Sequence, residues 1–360
     1  MKEFFTPRLE IHPARIAENA HAVIRLCHSH QIQVACVGKV VCAHPDVMRT
    51  LEESGADMLA DSRLENLAAI RKTGTRLPLM LLRIPTPSRL PEVVQFSDIA
   101  LVSDAGTIEQ LSQVAVSMEK NYKVILMIDL GDLREGIWPD QTERVLRRVI
   151  TLPNIEVTGL GANLACYGGV IPTTEKMQQL VDLRSEMEST LNVSLPVLSG
   201  GNSANLPLLL AGGMPPEINL LRIGESILLG RNVLDRSALP GTRQDTFHLT
   251  AEIIELERKP SIPIGPRGQD AFGEEPEFVD RGVRKRAICN IGRQDVVIDN
   301  LTPVDPGIII LGGSSDHLLL DVEDAEHSYK TGDEVVFLPG YGALLAASTS
   351  PYVKKVVTLE

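Results

Sequence analysis

Between residues 30 and 235 the chain alternates apolar, strand-like runs with helical stretches in a regular rhythm. The runs are IQVACVG, ADMLA, LPLMLLR, DIALVS, YKVILMIDL, IEVTGLGANL, LPVLSGG and EINLLRIG. Among the stretches between them, DSRLENLAAIRKTG opens on an Asp–Ser cap, and GTIEQLSQVAVSMEKN and TTEKMQQLVDLRSEMEST carry apolar residues at helical spacing. Strands that are apolar throughout must be covered on both faces, which is the condition of a parallel sheet wrapped by helices. Eight such units in about 200 residues is the count of a (β/α)8 TIM-type barrel. A doubly wound open sheet competes with this reading, but it needs fewer strands and often carries GxGxxG after its first, which is absent here.

The rhythm stops near residue 240. TFHLTAEIIELE, KRAICNIG, DVVIDNL, GIIILGG, HLLLDV, DEVVFLPG and VKKVVTLE are short strand-like segments punctuated by Gly, Pro or Asp, with no helical period among them. The expected organisation is therefore a barrel over residues 1–238 and a C-terminal all-β domain over 239–360. Within the second part, RKPSIPIGPRGQDAFGEEPEF is a long Gly/Pro-rich loop. A hydrophobic fraction of 43% suits a chain that buries a real core, and a formal net charge of -12 argues against nucleic acid or an anionic membrane as partner. Cys27, Cys36, Cys42, Cys166 and Cys289 form no CxxC pair, which fits a reducing cytoplasm better than a disulfide framework. MKEFFTPRLEIHPARI lacks the apolar core of a signal peptide, and no apolar run approaches the roughly 20 residues of a membrane span.

In such a barrel the chemistry sits at the C-terminal ends of the strands. The first strand ends in GK, at Lys39, where a lysine in an apolar run is either a snorkelling surface group or an amine kept for covalent work. The fifth ends in DLGDLRE with Arg134, and the sixth in NLACYGG with Asn163, Cys166 and Tyr167. The seventh ends in SGGNSAN and the eighth in RIGES; their glycines, Ser203 and the amides of the following turns make an anion nest, with Arg222 directed to the same rim. A lysine, a phosphate nest and an arginine converging on one rim match pyridoxal 5'-phosphate, which offers an aldehyde, a phosphate and a ring nitrogen. The eight histidines are scattered without metal-ligand spacing, so no metal site is expected, and no GxSxG elbow is present.

VGKVV, LLRIGESILLG, and SSDHLLLDV followed by GDEVVF together resemble the alanine racemase-like (fold type III) pyridoxal phosphate enzymes over nearly the whole length. NLACYGG, RIGESILLG, GRQDV and GGSSDH are most similar to the ornithine racemase branch. The resemblance implies that Lys39 binds the cofactor covalently and then serves as one acid/base, while Arg222 faces the ring nitrogen. It implies that Ser203 and the amides of Gly224 and Glu225 hold the phosphate, with Tyr352 a further contact. Arg134 would orient the cofactor's phenolic oxygen or the substrate carboxylate, and Asp316 would be contributed by a partner subunit. A homodimer with shared active sites acting on a small amino acid follows from the same likeness.

The pattern departs from that family in three places. Ala43 replaces a tyrosine that touches the phosphate, Asn163 replaces a histidine, and Phe272 stands where the second catalytic base is a tyrosine. Asp270, Asp316, His317 and Cys289 are the substitutes considered for that base. The expected activity is racemisation of ornithine or a similar basic amino acid by removal and return of the Cα proton. Alternatives are a non-catalytic pyridoxal phosphate carrier, or a decarboxylase or aldolase on the same barrel. Asp132, Glu135, Asp316 and Glu225 are the acids considered for a cationic substrate tail, and Ala43 and Gly136 are read as small residues that leave it room.

Overall fold

The computed structural model describes residues 5–358. The chain forms two compact units, one of Pro13–Arg243 and one that joins Met1–His12 to Gln244–Glu360. Strand β1 (Arg8–Ile11) lies before the barrel in sequence but belongs to the second unit. This differs from the division at 238/239, which left residues 1–12 with the barrel. The cause is backbone pairing: β1 runs antiparallel to the strand starting at Phe247 and parallel to the strand starting at Lys354.

The Pro13–Arg243 unit is a closed parallel barrel of β2 (Gln33–Val37), β3 (Met58–Asp61), β4 (Leu79–Leu81), β5 (Ile99–Val102), β6 (Tyr122–Ile128), β7 (Ile155–Ala162), β8 (Val197–Asn202) and β9 (Leu220–Ile223). All eight coincide with the apolar runs read from the sequence. Alternate residues fill the interior: Ala35, Val37, Ala60, Met80, Leu101, Ile125 and Met127 form one packed cluster. Their neighbours in the strands, such as Cys36, Leu59 and Leu126, are buried on the outer face, so each strand is apolar throughout. Two helices between strands carry side-chain caps, with the Asp104 carboxylate accepting from Thr107 N at 2.8 Å and the Thr173 hydroxyl from Lys176 N, whereas the helix starting at Leu64 has Arg63 as its N-cap and not the expected Asp–Ser pair. Among the described residues no helix is long and apolar enough to cross a membrane.

In the second unit, β10 (Phe247–Pro260), β11 (Val283–Cys289), β12 (Leu301–Pro303), β13 (Ile309–Gly313), β14 (Leu318–Asp321), β15 (Glu334–Pro339) and β16 (Lys354–Val357) join β1 in one sheet. The order β12-β15-β10-β11-β14-β13 is a sheet of antiparallel neighbours, with β1 attached to β10. The all-β expectation misses one helix, Tyr341–Thr349, whose Ala- and Leu-rich sequence carries no polar stripe to mark a helical period. The sheet also gathers two histidines that the sequence keeps far apart. Glu10 stands opposite His248 in register, and His12 Nε2 lies 3.0 Å from His248 Nδ1. Ligand atoms of Glu10, His12 and His248 all fall within 4.8 Å of one another. Glu10 is ion-paired to Arg8 at 2.7 Å, and His12 Nδ1 meets the Thr358 hydroxyl at 2.7 Å.

Candidate active site at the barrel rim

The C-terminal ends of the barrel strands hold seven of the residues singled out in sequence: Lys39, Arg134, Asn163, Ser203, Arg222, Gly224 and Glu225. Asp316, His317 and Tyr352 belong to the other unit. Asp316 and His317 sit in the turn between β13 and β14, where Ser314 N donates to His317 O at 2.9 Å and the Ser315 hydroxyl donates to Asp316. Tyr352 is exposed.

Lys39 opens a single 3-10 turn, Lys39–Val41, directly after β2 and Gly38. A Cβ at Gly38 would lie 2.3 Å from Met48 Sδ, so a larger residue there would displace the Met48 side chain. The Lys39 side chain reaches open space, yet the surrounding protein lowers its ammonium pKa from the usual lysine value. Crowding away from bulk water is the largest cause; Cys166 acts next in the opposite sense, then the Arg134 guanidinium adds to the lowering, and Asp61 and Glu135 oppose it. The effect is one of crowding at a rim, not of full burial, and it enlarges the fraction of neutral amine near neutral pH.

Arg222, on β9, is 4% exposed. Its guanidinium donates to the Ser199 hydroxyl on β8, to Ala162 O at 2.8 Å and to Asn163 Oδ1 at 3.3 Å. Burial lowers its pKa to about 10, so it stays a cationic donor at neutral pH. Asn202 Nδ2 donates to Asn163 Oδ1 at 3.1 Å and to Leu164 O at 2.9 Å, which fixes the end of β7 against β8. Asn163 Nδ2 is left with no acceptor although it is sealed from solvent. Ser203 opens a 3-10 turn after β8, and Ser226 N donates to its hydroxyl at 3.3 Å. That bond ties the β8 turn to the short helix Glu225–Leu229 after β9. Together these bonds hold the ends of β7, β8 and β9 against one another.

Arg134 follows β6 and chelates Glu135 through two guanidinium nitrogens. Burial works against its charge, but Glu135 outweighs it and holds the guanidinium pKa above the ordinary arginine value. Another Arg134 nitrogen, Nη1, donates to Cys166 Sγ at 2.7 Å. Asp132, nearly fully buried, accepts backbone N–H groups of Cys166, Tyr167 (2.9 Å) and Val170 (3.1 Å). Its burial is outweighed by those donors, and its carboxyl is held below the usual aspartate range.

The acids considered for a substrate tail are thus largely committed elsewhere. Asp132 is saturated by its loop, Glu135 is bound to Arg134, and Glu225 is paired with Arg236. Glu225 nonetheless has a raised pKa, because burial exceeds the help of Arg236, Arg231 and Lys39. Gly136 is not spare room either: at φ +140° a Cβ would lie 2.4 Å from Asp129 N, so glycine is dictated by backbone packing. Ser199, Asn202 and Glu135 act as supports for Arg222, Asn163 and Arg134, roles visible only once the strands are adjacent. Asp61, at the end of β3, has one carboxylate oxygen bonded to Arg63 N (2.9 Å) and Asn66 (3.0 Å), and the other buried without a partner. Burial raises its pKa to about 6 against the lowering by those bonds and by Lys39.

A lysine, a buried arginine and a serine-opened turn thus share one rim of a closed parallel (β/α)8 barrel. Residues 11–232 match the family model described as alanine racemase, N-terminal domain. The chain is 42% identical to ornithine racemase of Acetoanaerobium sticklandii across 97% of its length and 99% of that protein. It is 41% identical to lysine racemase of Thermotoga maritima, covering 97% and 98% respectively. The fold is shared with the alanine racemase from Bartonella henselae crystallised with covalently bound pyridoxal phosphate, at a TM-score of 0.75 and 16% identity, over 99% of this chain and 100% of that one. The chain belongs to the alanine racemase family.

Proposed function

We propose that the protein is a pyridoxal 5'-phosphate-dependent racemase of basic amino acids, ornithine or lysine. The observation that carries this reading is the match, end to end and above 40% identity, to two racemases named for those two substrates. The site fits the cofactor on its own chemistry. Asn163 presents a buried amide donor that lacks an acceptor, and Arg222 is a buried guanidinium whose other bonds fix its orientation. When bound, the cofactor supplies the electron sink that lets the substrate Cα–H ionise.

The chain's own groups then have distinct tasks. Lys39 offers an amine with a lowered pKa, suited to covalent attachment and to carrying a proton at its Nζ. Arg222 remains protonated, so it would face the ring nitrogen as a cationic donor and disfavour a proton on that nitrogen. Ser203 and the amides of Gly224 and Glu225 hold the phosphate, and Arg134 orients the substrate carboxylate or the cofactor's phenolic oxygen. The proposal includes a homodimer with shared active sites, to which Asp316, His317 and Tyr352 contribute, and a cytoplasmic location consistent with five free cysteines.

The test is a chiral-chromatography screen of single enantiomers with cofactor-loaded protein. Ornithine and lysine should be converted in both directions, at least tenfold faster than alanine. Faster turnover of alanine would remove the substrate assignment and leave the class. Absence of any racemisation, with decarboxylated or cleaved products instead, would remove the class.

A further inference from the structure

We propose that Cys166 is the second proton carrier, acting on the substrate Cα from the side opposite Lys39; this rests on the racemase reading above and names the partner that reading lacks. Phe272, in the place expected for a catalytic tyrosine, has no transferable proton, and the structure gives its ring a different occupation. It lies under the Arg293 guanidinium, 4.6 Å from the centroid. Asp270 is engaged with Phe272 N and Glu274 N at 2.8 and 2.9 Å. Cys289 is fully buried in the sheet, where its thiol is pushed up to about 12.

At the barrel rim the inventory is short. Lys39 feels Cys166, Arg134, Asp61 and Glu135, and it also acts on Glu225, which is paired with Arg236. Arg134 does not release a proton in the working pH range. Glu135 is chelated by Arg134, and Asp61 is enclosed with no exposed surface. Cys166 is the exposed protic group that remains among these, and its position is fixed from two directions. Asp132 grips the backbone of the Cys166–Val170 loop through three N–H groups and accepts from Gly168 N through its own carbonyl. Arg134 Nη1 meets the sulfur at 2.7 Å, a counter-charge for the thiolate form. The residues just before the two partners, Leu133 and Ala165, both hold positive φ, at 55° and 51°.

A separate observation marks the space between these groups as a ligand site. Three residues before Cys166, the Asn163 amide Nδ2 is sealed from solvent and lacks an acceptor, while its Oδ1 is held by Asn202 and Arg222. A ligand seated there lies beside the Cys166 loop. The proton steps balance without a co-reactant. The Cys166 thiolate takes the Cα proton of one enantiomer, forming S–H as C–H breaks. The Lys39 ammonium gives a proton to the opposite face, forming C–H as N–H breaks. The enzyme ends as thiol and neutral amine, which is the form that runs the opposite enantiomer. Exchange with water resets it.

The test uses holoenzyme carrying Cys166→Ser and Cys166→Ala, with single enantiomers of ornithine or lysine in deuterated water. Racemisation should fall by about 10²–10⁴-fold, as expected for loss of one positioned proton carrier. Deuterium should still wash into the Cα of the enantiomer whose proton faces Lys39, and no longer into the other. Cofactor absorbance and thermal midpoint should match the parent. In the unmodified protein, iodoacetamide should label Cys166, and both cofactor and substrate should protect it. Near-parent racemisation by either Cys166 variant would overturn the assignment. So would loss of that same exchange in a Tyr167→Phe variant that retains Cys166, which would make the neighbouring phenol the carrier. An unmodified protein that racemises neither substrate would instead refute the racemase reading itself.

Discussion

At the ends of β8 and β9, Ser203 and Arg222 are 5% and 4% exposed, and the two terminal nitrogens of the arginine donate to Ser199, Ala162 and Asn163. At the ends of β2, β6 and β7, Lys39, Arg134 and Cys166 all reach solvent. One half of the rim is therefore part of the core, and its polar groups are held in place by each other. The other half is built of chemically reactive groups whose loops are anchored from below, through Asp132 and Gly38. Holding a ligand and moving protons need these different environments. A cradle gains from rigidity and satisfied bonds, whereas a proton carrier must keep an accessible atom.

The largest expected effect that separates the halves is on turnover. Lys39→Ala should abolish racemisation while leaving the denaturation midpoint within about 0.5 kcal/mol, as for an exposed substitution that breaks no buried bond. A large loss of stability would place Lys39 with the core half and break the contrast. Next comes Arg222→Ala, which takes a buried donor from Ser199, Ala162 O and Asn163 Oδ1, the last keeping only Asn202, and should destabilise the cofactor-free protein by about 3 kcal/mol in urea titration. A neutral result would mean that the β8–β9 cradle is not structurally committed.

The smallest effect is on the pH profile, through Asp61. A carboxyl whose folded pKa is raised to about 6 is bound to its proton more tightly in the native state than in the unfolded one. Its contribution is fully present below the unfolded value near 3.8 and is lost as pH rises through about 6. Asp61→Asn, which keeps the acceptor for Arg63 N and Asn66, should therefore be more stable than the parent at pH 8, by at most about 3 kcal/mol. At pH 4 the two should be nearly equal. Equal stabilities at both pH values would show that the Asp61 carboxylate is not confined as its geometry indicates.

The barrel was legible in the sequence because each of its strands is buried on both faces and reads as one apolar run. Strand β1 was not. It is only four residues long, and its partners Phe247–Thr250 and Lys354–Val357 lie more than 230 positions away. The Tyr341–Thr349 helix was hidden by its lack of a polar face. The shared rim position of Lys39, Ser203 and Arg222 was readable because each lies at the end of an apolar strand run. Asp61 reads as a helix cap in DSRLEN, and half of that is correct, since Arg63 N and Asn66 do bond to it. Its unpartnered second oxygen depends on tertiary enclosure that no local pattern encodes. Gly136 misled for the same reason, because its absent side chain makes room for the backbone of Asp129 and not for substrate.

The most direct measurement is to reduce the cofactor-loaded protein with borohydride, digest it and locate the phosphopyridoxyl mass by peptide sequencing in the mass spectrometer. The group should be found on the Nζ of Lys39, in stoichiometric amount, and on no other lysine. Modification of a different lysine, or none while racemisation proceeds, would contradict it.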